Sequence, residues 1–235
     1  MALSRVLRGS FWLSLGSILA NFFGFIYWLL ISPMVSPATV GKAATVLAIQ
    51  SLLLSTLSLG IPTGVMRFLG RGYSHQDSTV IGKYFYSAFI FILGLDAVAG
   101  LLFLSLGLLS RVIPLDFESV LFASILIFVG ANGWALLLAA LFNSTLETEY
   151  VTIAQFIMGL SRILIGVPLV YLGLNFTGLM LGYVIAAIAN ASTLLLFAKR
   201  RLHRLGAKIS LSYRAVVDSL KAGLATWIPS ILTLA

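Results

Sequence analysis

Two charged side chains stand where charge is costly. Asp96 lies twelve residues into an apolar run that opens at Tyr84, and Arg162 lies twelve residues into another that opens at Tyr150. At about 1.5 Å of rise per residue, each sits roughly 18 Å along its helix, near the middle of a hydrocarbon layer about 30 Å thick. A lone charge there costs from about 3 to more than 10 kcal/mol, so it must face protein or water and usually has a partner. Two chemistries follow. The residues can form an ion pair that locks their two helices together. Alternatively, Arg162 meets an anionic group on a cargo while Asp96 tunes it or carries a proton. Equal depth permits pairing without showing adjacency.

The remaining candidates are weaker. Arg67 and Arg71 follow a helix break at Pro62 and read either as anchors for lipid phosphates or, for Arg67, as a first contact for a phosphate at the mouth of a pathway. Asn21, Gln50 and Asn132 are neutral polar residues at depth, where they either bond between helices or line a cavity. His75 and His203 fall in basic loops. With two histidines, seven acids and no cysteine, the chain offers no metal-ligand cluster, no thiolate chemistry and no convincing catalytic pair. No phosphate-binding glycine loop or nucleophile elbow is present. The expectation is a protein that is not an enzyme and needs no cofactor.

The elements that position these residues are membrane spans. The chain is 60% hydrophobic and 9% charged, with mean hydropathy +1.08, against about 25% charged residues in soluble domains. The net charge of +8 does not imply nucleic acid, because its charges sit in short loops between spans. Six spans are expected at about Phe11–Met34, Ala43–Ile61, Tyr84–Leu109, Ser119–Phe142, Tyr150–Leu172 and Thr177–Ala198, the fifth containing Pro168. The amino-terminal run is too long for a cleaved signal and is expected to stay as the first span.

Orientation follows from Lys and Arg. With the amino terminus in the cytoplasm, the inner side holds twelve: Arg5, Arg8, Arg67, Arg71, Lys83, Lys199, Arg200, Arg201, Arg204, Lys208, Arg214 and Lys221. The outer loops hold two, Lys42 and Arg111. Trp28, Tyr84 and Tyr150 lie near span ends and read as interfacial anchors. Stripes of small or polar residues run along the first span (Ser10, Ser14, Ser17, Asn21, Gly24), the fifth (Thr148, Thr152, Gln155, Gly159, Arg162, Gly166) and the sixth (Gly178, Gly182, Ala186, Asn190). In the sixth, helix packing is the better reading. In the first and fifth, the wall of a water-filled cavity stands level with it.

An internal echo bears on architecture. Lys221–Leu232 shares a basic residue, a small pair and a closing Ser-Ile-Leu with Arg8–Leu19, three identities in twelve. It recurs after an even number of spans behind a basic linker, as parallel repeats in transporters do. Residues 1–198 are therefore expected to form a six-helix bundle. Residues 199–220 would be a basic cytoplasmic linker, and 221–235 the truncated start of a second bundle, a seventh helix.

Ser-Pro-Ala-Thr-Val-Gly at 36–41, Leu-Ser-Leu-Gly-Ile-Pro at 57–62, Met-Arg-Phe-Leu-Gly-Arg at 66–71 and the layout of six spans plus linker resemble the polysaccharide biosynthesis flippases of the multidrug/oligosaccharidyl-lipid/polysaccharide exporter superfamily. The resemblance covers the whole chain. It implies an all-α polytopic membrane protein, one lobe of a twelve-helix exporter that moves lipid-linked sugars by alternating access, with the carboxy-terminal half as partner. Arg67 falls on a Gly…Arg pattern of the family, and a cationic cavity residue that engages the cargo's phosphate would suit Arg162. The implied partners are membrane lipids, a lipid-linked glycan and a proton or sodium ion, with no nucleic acid. Two alternatives stay open. One is a cation-coupled small-molecule antiporter, in which Asp96 would serve where related exporters carry an acid on helix one and this chain has Asn21. The other is a non-transporting fragment that needs a partner half.

Overall fold

A computed structural model describes residues 2–109 and 119–232, and every regular element among them is helical. α1 (Ala2–Ile31) leads through a short 3₁₀ turn into α2 (Pro37–Ser58). α2 starts earlier than the apolar run because Pro37 occupies its first turn and the Ser36 hydroxyl accepts from the Thr39 amide at 3.2 Å. It ends at Leu59 and Gly60, both left-handed, with φ of 46° and 69°. The break is thus made by these two residues. Pro62, expected to make it, sits instead in the first turn of α3 (Ile61–Ser74), where its missing N–H costs nothing. α3 is amphipathic, burying Ile61, Val65 and Leu69 while Arg67 and Arg71 stay exposed.

α4 (Ser78–Leu109) also starts ahead of its apolar run. Asp77 Oδ1 accepts from the amides of Thr79 and Val80 at 3.0 and 3.1 Å and from the Thr79 hydroxyl at 2.6 Å, capping the helix. Those bonds, the hydroxyl's foremost, hold the Asp77 carboxyl below the usual carboxylate range. α5 (Ser119–Ser144) follows. The fifth span is composite: α6 (Glu149–Ser161), a π-helical turn at Arg162–Gly166, α7 (Val167–Leu169) and a second π-helical turn at Val170–Leu174. Pro168 lies between the two turns. Proline removes one N–H and crowds the carbonyl four residues back, and the wider turns absorb that defect.

At Gly173, with φ of 88°, the chain reverses into α8 (Asn175–Arg204). Among the described residues, five stretches are long and apolar enough to cross a membrane, and the last, Glu149–Arg204, is 56 residues long and folds back at this point. Each of its two limbs, 149–174 and 175–204, is itself long enough to cross, so the described residues hold six stretches of spanning length. The basic run is not a loop at its start, since α8 continues to Arg204 and α9 begins at Tyr213. The connection between them is shorter than the expected linker at 199–220.

α5 and α8 pack along each other and contribute to both apolar clusters of the core. One cluster joins Leu69, Phe85, Leu138, Phe142 and Leu194, the other Tyr27, Val46, Val129, Leu179 and Tyr183. α9 docks on α3 and α4. A Cβ on Gly64 would overlap the Ser219 carbonyl, so the backbones touch. Trp227 Nε1 donates to the Ser55 carbonyl at 2.7 Å, meeting an acceptor near the break that ends α2.

A candidate anion site at Arg162

The site is built from the seam between α1 and α6. Thr148 and Thr152 donate to the carbonyls of Gly9 and Trp12 at 2.8 and 2.6 Å. Gln155 lies against Gly16, and Gly159 lies against the Phe23 ring. The polar stripe of the fifth span is therefore a packing face against α1, and the cavity-wall reading of it does not hold. The sixth span's stripe packs as expected, because Gly182 meets Gly166 and Gly178 meets Leu169 and Val170 across the hairpin. The stripe on α1 behaves differently. Ser10, Ser14, Ser17 and Asn21 are exposed, and nothing lies within 4 Å of a Cβ on Gly24.

Arg162 opens the first π-helical turn, where this seam gives way to the hairpin. Its guanidinium carbon lies 4.2 Å from the centroid of the Tyr183 ring and 6.0 Å from that of Tyr27. Tyr27 is fully buried, donates to the Leu179 carbonyl at 2.9 Å and meets Tyr183 edge-on at 5.4 Å. Trp28 and Phe128 complete the aromatic surround of Tyr183 at 6.5 and 6.4 Å. Arg162 Nε is buried without a hydrogen-bond partner. Among the described residues no carboxylate pairs with this guanidinium. What holds the charge is the negative faces of two rings, worth up to about 2 kcal/mol when desolvated.

Asp96 lies elsewhere, so of the two chemistries open to these residues the ion pair with Arg162 is not formed. Its carboxylate is set between α4 and α5 beside Gly130 and Gly133, with Oδ2 buried and unbonded. It opens on a cavity of about 320 Å³ that Trp134, Ala131, Ile188 and Ala191 also line. A helix has a circumference as well as a depth, and α4 and the π-helical turn after α6 present these two residues to different neighbours.

The other candidates do not converge on Arg162. Arg67 is exposed on α3. Asn21 and Asn132 close on their own helices, donating to the carbonyls of Ser17 and Phe128 at 2.9 and 2.8 Å. Gln50 is fully buried with neither amide atom bonded. It lies one turn beyond Val46, which shares an apolar cluster with Tyr27 and Tyr183. The expected anchors pack inward: Trp28 is half-buried against Tyr27, and Tyr84 stacks on Phe68 at 4.3 Å and donates to Asp218 at 3.2 Å. Sequence reading missed Tyr27 and Tyr183. Their one signal was two tyrosines well inside apolar spans, where a hydroxyl needs a partner.

The fold is similar to that of two solved transporters. The crystal structure of a mutant MATE protein superposes with a TM-score of 0.73 at 14% identity, over 97% of this chain and 53% of the other. An outward-facing multidrug resistance transporter of the MATE family, of the MOP superfamily, gives 0.66 at 18% identity, over 95% of this chain and 52% of the other. This chain spans about half the length of each. No curated protein matches it by sequence. The profile described as polysaccharide biosynthesis protein matches residues 6–235. The match covers nearly the whole sequence, the all-helical fold agrees with it, and the chain belongs to the polysaccharide biosynthesis protein family.

Proposed function

We propose that this protein works in a flippase that moves lipid-linked oligosaccharide or polysaccharide precursors across the cell membrane by alternating access, its amino terminus cytoplasmic. The observation that carries this reading is the Arg162 guanidinium, held in the spans on ring faces with no carboxylate paired to it among the described residues. Two ring faces return less than the cost of burying a lone charge at that depth, which runs from about 3 to more than 10 kcal/mol. An anionic group is therefore favoured beside it, and a lipid-linked precursor brings phosphate. Family membership supports the glycan as cargo. Arg67, exposed on α3, would meet the same phosphate earlier on its way.

The test is glycan export by the protein in its natural chain, in cells lacking their own copy. Arg162→Ala is expected to lower export at least tenfold with unchanged protein level, while lipid-linked precursor accumulates inside. Arg162→Lys should be intermediate, since it keeps the charge and loses the planar fork. Wild-type export by Arg162→Ala would remove this role from Arg162.

A second reading has its own observation. Asp96 holds a buried, unbonded carboxylate oxygen at a cavity between α4, α5 and α8. That placement favours a proton or sodium ion as coupling partner, and with it a cation-coupled antiporter of small molecules.

A further inference from the structure

We propose that the basic end of the bundle carries a second binding site, for the phosphate group of an anionic lipid headgroup, formed by Arg200, Arg204 and an aromatic floor. Here α5 ends, α6 begins and α8 ends, and a cavity of about 100 Å³ lies between them. Its floor is the rings of Phe142, Tyr150 and Phe197, with centroids 5.1 and 4.9 Å apart in sequence around Tyr150. Its walls are Arg200, Arg201 and Arg204.

The charges in this cavity are divided. Arg201 Nε lies 2.7 Å from Glu147 Oε2, and its guanidinium covers the Tyr73 ring at 5.6 Å. It is a structural cation that ties α8 to the α5–α6 turn and to α3. The other nearby acid, Glu149, pairs with Arg8 at 3.4 Å. Arg200 and Arg204 stand one helical turn apart, both exposed, with no acid paired to either among the described residues. A solvated basic face needs no hollow behind it, yet this one encloses a ring-floored pocket. Ligand sites for drug-sized molecules run from about 300 to 1,000 Å³, so this cavity suits a phosphate group and not a glycan chain. Arginine forks match phosphate oxygens two at a time, and basic pockets between spans at the membrane surface are where lipid headgroups settle. The rings below would face the glycerol backbone. The inference does not rest on the role of Arg162.

The test compares thermal unfolding of the purified protein during titration with dihexanoyl phosphatidylglycerol, dihexanoyl phosphatidylcholine and inorganic phosphate. Phosphatidylglycerol is expected to raise Tm saturably by a few degrees, and phosphatidylcholine by less. The double variant Arg200→Gln/Arg204→Gln should keep the ligand-free Tm and need at least tenfold more phosphatidylglycerol. Should the double variant melt lower without ligand, Arg200→Lys/Arg204→Lys, which keeps the charge, should restore most of the response. An equal rise with inorganic phosphate, lost in the double variant, would keep the phosphate site and assign its ligand to solution. Equal responses to the two lipids, or a double variant as responsive as the wild type, would overturn the proposal.

Discussion

A guanidinium on tyrosine faces and a carboxylate between glycines are two answers to one problem at the residue scale, charge in a low-dielectric interior. Arg162 is stabilised by ring quadrupoles, while its Nε is buried without a hydrogen-bond partner. Among the described residues no arginine pairs with Asp96, and its side chain opens on a cavity large enough for an ion with water. These environments predict different losses. Asp96→Asn keeps the shape and removes the charge. If Asp96 carries the coupling ion, the variant should transport without dependence on the proton or sodium gradient, while cargo binding changes less than threefold. Transport assays in vesicles with the gradient imposed and collapsed check this, and unchanged coupling would leave Asp96 without that role.

At the element scale, the composite fifth span sets where Arg162 points. The π-helical turn that begins at Arg162 rotates the residues after it relative to an ideal helix, and the reversal at Gly173 brings α8 back against them. Contact is closest at Gly166 and Gly182, where a Cβ on Gly182 would sit 2.8 Å from both the Gly166 Cα and the Tyr27 hydroxyl. Tyr183 is the next residue along. Gly182→Val should therefore cost about 1–3 kcal/mol by overpacking and shift the Tyr27–Tyr183 pair that holds the guanidinium. The expected outcome is a lower Tm together with weakened export. A larger fall in export than Gly24→Val produces would separate this effect from general crowding, because a Cβ on Gly24 meets nothing within 4 Å.

For the whole molecule, the arrangement of α9 matters most. It packs on α3 and α4 through Gly60, Gly64 and Gly223, and the Ser212 amide donates to the Ser87 hydroxyl at 2.9 Å. The connection from α8 is thus fastened to the bundle. Because the chain has no cysteine, Ser87→Cys/Ser212→Cys gives a clean cross-linking pair. A short bifunctional thiol reagent should join the two positions in high yield in the resting protein, read as a mobility shift after a protease cut between them. A yield no better than that of a control pair on α1 and α9 would show that α9 is not docked in this way.

The membrane class, the stretches of spanning length and the basic bias of the loops on one side were legible in the sequence, because hydropathy over about 20 residues and the placement of Lys and Arg are local quantities. The break after α2 was legible too, although Leu59 and Gly60 make it and Pro62 only begins the next helix. Arg162 and Asp96 were found because a charge inside an apolar run needs no neighbours to be conspicuous. Their partners were not legible. Depth follows from counting residues, but which way a side chain faces depends on crossing angles, on the two π-helical turns and on which glycines let backbones touch. Those are properties of packed helices, set between residues as distant as Tyr27 and Tyr183. The sequence alone determined that two charges lie deep in apolar runs of spanning length, and only the tertiary structure decided that they lie apart.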